Sequence, residues 1–181
     1  WTQLGQDIDG GQSGEKSGFS VSLSDNGDIV AVGSPEYQEG SANKSGRARI
    51  YQNVNGQWSQ INQDITGFGW HNYAGSSVSL SGNGDIVAIS NPGNDDTGSD
   101  VGRVDVYENI GGSWSQIGQA VYGESSGDNS GESISLSSNG NTLAISSHWN
   151  DGNGTDAGHV RIYHYNGSSW NKLGDNIDGE A

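Results

Sequence analysis

Two stretches of the chain are dense in oxygen donors. "NPGNDDTGSDVG" (91–102) holds Asn94, Asp95, Asp96 and Asp100, and "HWNDGNGTDAGH" (148–159) holds Asp151, Asn153, Thr155 and Asp156. Carboxylates alternating along a Gly-rich turn suit calcium, which takes about six to eight oxygen ligands. Neither stretch has the full EF-hand spacing or its closing Glu. Asn and Asp also cap their own backbone in tight loops, so the same residues have a purely structural reading. Calcium is therefore one candidate cofactor, and no other is indicated.

Aromatic residues stand beside these loops. His148 and Trp149 adjoin the second, and Trp70, His71 and Tyr73 lie in another. Flat rings with Asp and Asn nearby suit a carbohydrate, stacking on its ring and hydrogen-bonding its hydroxyls. They suit packing against neighbouring structure equally well. Catalytic signatures are missing. The histidines, His71, His148, His159 and His164, have no metal-site spacing. There is no Cys nucleophile and no G-x-S-x-G elbow. The expectation is a protein that is not an enzyme, with its histidines on ordinary polar surface.

The charge narrows the partners. With 22 acids against 7 bases, the net charge is −15. Phosphate backbones and anionic membranes are repelled, so nucleic acid is excluded as a partner. Acidic surfaces also keep proteins soluble. No apolar run approaches the ~18 residues of a membrane span. Opening on Trp1 without Met leads us to expect a removed start residue and leader, hence a secreted or cell-surface protein. Sequons at Asn43, Asn153 and Asn166 matter only where secreted proteins are glycosylated.

The elements that position these loops are repeated. "WTQLGQDIDG" opens at Trp1 and returns as "WSQINQDITG" at Trp58, "WSQIGQAVYG" at Trp114 and "WNKLGDNIDG" at Trp170, spaced by 57, 56 and 56. Between them "VSLSDNGDIVAVGSP" from Val21 recurs twice, and "GRARIYQN" from Gly46 recurs as "GRVDVYEN" and "GHVRIYHY". Each repeat offers four strands. Strand a spans 19–24, 76–81 and 132–137; strand b spans 28–33, 85–90 and 141–146. Strand c spans 47–52, 103–108 and 159–164, and strand d is the Trp-led segment. Period-2 alternation and β-branched runs support all four. Asn26-Gly27, Asn83-Gly84 and Asn139-Gly140 between a and b predict type I′ hairpins.

Strand b is apolar on both faces, with Val30 and Val32 against Ile29 and Ala31. Such a strand is buried on both sides. Strand d sends Trp58 one way and Ile61 and Ile65 the other. Four-stranded sheets that bury both faces must stack on similar sheets, as β-propeller blades do. The expected fold is all-β: tandem four-stranded antiparallel propeller-type blades, three repeats of about 56 residues plus one surplus outer strand. The units run 1–57, 58–113 and 114–169, with 170–181 a partial fourth. Trp58, Trp114 and Trp170, with Tyr51, Tyr107 and Tyr163, are expected to pack between blades.

The pattern "SGFSVSLSDNGDIVAVGSP … GRARIYQN … W" resembles the FG-GAP repeat of integrin-α-like propellers. It is closest to the W-x-Q-x-G-x-D-I-D-G type found in secreted proteins of marine bacteria and algae. Gly18-Phe19 takes the place of "FG" in reversed order, and Gly33-Ser34-Pro35 matches "GAP" with one change. Many blades of that family hold calcium between strands a and b. This chain shortens that loop to "SDNGD", "SGNGD" and "SSNGN", so the resemblance implies no calcium there.

Three blades are fewer than the about four to eight of a propeller ring. Two expectations follow: the chain is a piece of a longer array, or chains associate through their unpaired strand edges, which favour addition of another strand. The expectation is thus a structural or adhesive repeat protein that self-associates into an oligomer or filament through its blades or terminal strands. The alternative is a lectin-like propeller that binds glycans, assisted by calcium, at the aromatic and acidic loops.

Overall fold

The computed structural model describes residues 1–67 and 69–180; Phe68 and Ala181 lie outside the described residues. They form three antiparallel sheets in sequence order, with no helix among the described residues. The chain is an all-β series of tandem propeller-type blades. Blade 1 comprises β1 (Ser20–Leu23), β2 (Ile29–Ser34), β3 (Arg47–Val54) and a two-piece outer edge, β4 (Gln57–Gln60) and β5 (Ile65–Thr66). Blade 2 repeats this as β6 (Val78–Leu80), β7 (Ile86–Asn91), β8 (Arg103–Ile110), β9 (Ser113–Gln116) and β10 (Val121–Tyr122). Blade 3 follows with β11 (Ile134–Leu136), β12 (Thr142–Ser147), β13 (His159–Tyr165), β14 (Trp170–Lys172) and β15 (Ile177–Asp178).

The outer strand is broken, where the sequence suggested one strand. Trp58 faces Asn53 and Ile65 faces Ala48, both on β3. Between the two pieces the chain turns at Asn62, with φ of 61°, and at Gly118 and Gly174 in the later copies. Gly adopts positive φ without steric cost, and Asn tolerates it better than most residues. A Cβ on Gly118 would also meet Trp170 Cδ1 at 2.7 Å.

Sheet boundaries fall part-way through the sequence units. Each Trp-led segment pairs with the strand c before it, so residues 170–178 complete blade 3. The surplus segment is the first one. Residues 1–10 form no strand, yet lie against Trp58 as later copies lie against the next blade.

The turns between a and b also differ from the expected type I′. Only the Gly has positive φ (Gly27, 75°), while Asn26 does not. Gly27 N donates to Ser24 O, and Ser24 N to Ile29 O, leaving a four-residue loop. Asn26 Oδ1 accepts from Asp28 N and Ser24 Oγ. The Asn side chain stabilises a longer turn of the type I kind, one of the common longer hairpin loops.

The core lies between blades. Ala31, Ala48, Ile50 and Ile65 of blade 1 bury against Val78, Leu80, Val87 and Ile89 of blade 2. Ala88, Val104, Val106 and Val121 of blade 2 bury against Ile134, Leu136, Leu143 and Ile145 of blade 3. Trp114 and Trp170 are buried in these two seams, with Tyr107 and Tyr163. Each blade thus has a leading face toward the blade before it and a trailing face toward the blade after it.

Polar bonds repeat at each seam. Leu80 N donates to Ser22 Oγ at 3.0 Å, and Leu136 N to Ser79 Oγ at 2.8 Å. Asp25 N donates to Gly82 O, and Gly82 N to Ser138 O, both at 2.8 Å. Gln63 Nε2 donates to Trp114 O while its Oε1 accepts from Trp114 N. Gln119 holds Trp170 the same way, and Gln6 of the surplus segment holds Trp58. The fourth copy has Asp175 at this position.

Candidate functional site

Strands a and c run one way and b and d the other. The b–c and d–a loops therefore collect at one end, and the tight turns at the opposite end. Every candidate ligand residue from the sequence lies at the loop end. There each d–a loop hydrogen-bonds the b–c loop of the blade before it. Tyr73 N donates to Lys44 O, and Asn129 N to Asp100 O. All four residues sit at positive φ, so the loop backbones are specified as closely as the strands.

This interlocking gathers some candidates and separates others. Trp149, Asp151 and Asp156 line a depression of about 300 Å³ with Ser126, Gly127 and Asn129. Trp149 is 48% exposed and tilts against the His148 ring at 4.7 Å between centroids. A second depression, about 330 Å³, shares Trp149 and Asp151 with the first and is walled by Glu124, Asp128 and Asn150. Tyr73 and Asp100 belong to a third, of about 270 Å³, which takes matching positions from three repeats: Lys16, Tyr73 and Asn129, then Phe19, Ser76 and Glu132. His71 stacks on Tyr73 at 5.9 Å, whereas Trp70 stands apart in solvent.

The acidic loops are largely engaged with themselves. Asp95 Oδ1 accepts from Asp100 N, and Asp151 Oδ1 from Asp156 N. Asn94 is buried and donates to Asn72 Oδ1, while its Oδ1 accepts from Asp96 N. Asp96 binds Arg103 Nη1 at 2.9 Å, and Asn153 Nδ2 donates to Gly179 O. Thr155 is exposed. Among the described residues, no group of three His, Asp or Glu side chains is arranged to hold a metal ion. The Asx-turn reading accounts for these contacts.

Charged residues buried beside the loop end escaped the sequence analysis. Strand c begins Arg47-x-Arg49, Arg103-x-Asp105 and His159-x-Arg161, all facing the leading side with the Tyr that follows. Glu15 is buried and accepts from Arg47 Nη2 at 2.7 Å, Arg49 Nη2 at 3.2 Å and Gly11 N at 2.8 Å. Arg103 chelates Asp105 with Nε and Nη2, both at 2.8 Å. Burial raises the Asp105 carboxyl, and Arg103 opposes that rise. His159 is not surface: burial holds its imidazole below the usual histidine range and Arg161 adds to this, with Glu124 Oε2 3.9 Å away opposing. The sequence signal was the alternation of charged residues with apolar ones in strand c, which reads as a solvated face until the loop preceding the blade is folded over it, with Glu15 on Arg47 and Arg49, and Glu124 and Ser130 on Arg161. His164, on the opposite face, is exposed as expected.

No family model matches the sequence, and no curated protein matches it. Solved structures do resemble the fold. A putative 6-phosphogluconolactonase from Bacteroides uniformis superposes with a TM-score of 0.58 at 15% identity, over 90% of this chain and 40% of that one. Saccharomyces cerevisiae Sqt1 gives 0.56 at 15%, over 92% and 36%. Kuenenia stuttgartiensis hydrazine synthase gives 0.54 at 13%, over 89% and 37%. The chain spans about two fifths of each. At these identities the likeness shows the fold alone.

One expectation is corrected by this. The absence of linear motifs suggested a protein that is not an enzyme, yet a fold neighbour carries an enzyme's name, the putative lactonase. A blade array builds its surface from loops of several repeats, and such a constellation leaves no local motif. Motif absence therefore does not exclude catalysis in this architecture.

Proposed function

We propose that the chain is a self-associating structural or adhesive repeat module, secreted or displayed at a cell surface, of the FG-GAP-like kind its motifs resemble. The observation that carries this reading is a contrast between equivalent residues. Val78 and Leu80 are 6% and 5% exposed, and Ile134 and Leu136 are 8% and 7%, because a blade covers each pair. The same positions in blade 1, Val21 and Leu23, are 64% and 59% exposed. Together with Leu4, Ile8, Val30, Val32 and Trp58 they line an apolar depression of about 390 Å³. Such a face favours association. The molar mass of the 181-residue chain in solution, by light scattering, tests this. A mass above the monomer that returns to the monomer in Leu23→Asp supports the reading, and a wild-type monomer at all concentrations refutes it.

Trp149 favours a second reading, carbohydrate binding. An exposed indole flanked by Asp151, Asp156 and Asn129 offers a stacking platform with acceptors at its rim. Glycan-array binding that Trp149→Ala abolishes would place this reading first.

A further inference from the structure

We propose that the partner is a second copy of this chain, docked with its third blade against blade 1, and that residues 1–10 replace that blade's outer strand. The inference rests on the self-association reading above and adds the strand exchange to it.

The seams inside the chain define what a preceding blade must supply. Ser22 and Ser79 present Oγ to the next strand a, and Ser135 is their exposed equivalent on blade 3. Its acceptor would meet Leu23 N of the second copy, the equivalent of Leu80 N and Leu136 N. The turn ladder running Asp25, Gly82, Ser138 would continue from Ser138 N to the copy's Asp25 O. At the loop end, Lys44 O and Asp100 O accept from the following loop; Asp156 O is next in that series, and Lys16 N is its equivalent donor. Lys16, half-exposed and paired with Glu36 at 2.7 Å, would also approach the carboxylates of Asp151 and Asp156.

One place in this docking has two claimants. Residues 1–10 already sit where the outer strand of a preceding blade belongs. Trp58 Nε1 donates to Leu4 O at 2.9 Å, as Trp170 Nε1 donates to Ile117 O at 3.1 Å. Gly5 meets Trp58 as Gly118 meets Trp170, with added Cβ atoms 2.9 and 2.7 Å from Cδ1. The incoming blade brings its own β14 and β15 to the same position. Gln6 decides between them, because it both donates to Trp58 O and accepts from Trp58 N. Asp175, its counterpart in the incoming strand, is acceptor-only when ionised and would set a carboxylate oxygen against the Trp58 carbonyl. Residues 1–10 therefore stay, and β14 and β15 of the incoming blade give way. Trp1, fully exposed, would then take the place of the partner's Trp170 in the Gln119 bonds. Exchange of an identical element between copies is a low-cost route to dimers.

The chain contains no Cys, so engineered thiols report cleanly. His164 faces Asn171 across β13 and β14, and Thr2 is the equivalent of Asn171. Facing Cα atoms in an antiparallel pair lie about 4.5–5.5 Å apart, within disulfide range. The T2C/H164C variant, oxidised and analysed by intact mass and peptide mapping, is expected to give a covalent dimer linked between positions 2 and 164. The H164C/N171C variant is expected to give little linked monomer at concentrations where the wild type is dimeric. A dimeric wild type whose T2C/H164C variant forms no such link, or whose H164C/N171C variant links fully within one chain, overturns the strand exchange and leaves the association reading standing. A wild type that is monomeric throughout overturns both.

Discussion

Gln119 holds the backbone of Trp170 with both ends of its amide: Nε2 donates to the Trp170 carbonyl at 2.6 Å, and Oε1 accepts from its N–H at 3.1 Å. The side chain substitutes for a strand partner and ties one blade's outer edge to the next. Gln119→Glu keeps the acceptor, loses the donor and opposes two oxygens. The expected cost is about 1 kcal/mol, read as a lower urea midpoint with unchanged slope. Gln63→Glu at Trp114 is expected to match it.

Burial, and not sequence, separates Leu80 from Leu23. Both close the same "VSL" of strand a, but only Leu80 has a blade over it. Leu80→Ala is expected to cost about 2–4 kcal/mol of folding stability. Leu23→Ala should cost well under about 1 kcal/mol in dilute monomer. It should weaken association, seen as an earlier loss of dimer on dilution.

Glu15 neutralises two arginines inside the loop end. Removing one member of a buried ion cluster leaves uncompensated charge, typically about 3–5 kcal/mol. Glu15→Gln preserves shape and the bond from Gly11 N, so its effect isolates the charge. Urea denaturation should show a loss in the lower part of that range, because Asp64 still pairs with Arg47 at 2.6 Å.

His159 makes stability pH-dependent. Its folded pKa lies below the usual histidine value of 6.5, chiefly through burial. Below that value the unfolded chain takes up a proton that the folded chain refuses, so stability falls as pH falls until the folded value is passed. Thermal melts from pH 7.5 down through about 6.5, where the unfolded-state imidazole titrates, should show a declining midpoint. His159→Gln should flatten the decline, and an unchanged slope would show that other groups set it.

Much of this was legible because each strand must satisfy two seams at once. The double apolar faces of the "DIVAI" copy in blade 2 required covering sheets on both sides, and Val87 and Ala88 are buried in opposite seams accordingly. The misreadings came where one atom decides. Asn-Gly suggested a two-residue turn, but the Asn26 side chain caps a four-residue one. The Trp-led segment read as one strand, and Asn62, Gly118 and Gly174 at positive φ instead break it in two. The Gln that follows recurs three times, yet its partner is backbone about 51 residues away, which no pattern of side chains exposes. Of the loop candidates, Asp151 and Asp156 meet because Asp156 N donates to Asp151 Oδ1, and Trp149 lines the same depression beside Asn150, which donates to Asp128 of the preceding loop, while Trp70 is left aside.

The placement of the apolar clusters has a consequence for modularity. Neither inter-blade seam belongs to one sheet, so a single excised repeat would keep neither, and the first would retain only the small cluster of Val30, Val32 and Tyr51 under Ile8. The smallest autonomous piece is a pair of blades, and the cooperative unit straddles the genetic one. Duplicating a repeat therefore adds a whole seam at once, and a lengthened array would gain stability per copy only from the second blade onward.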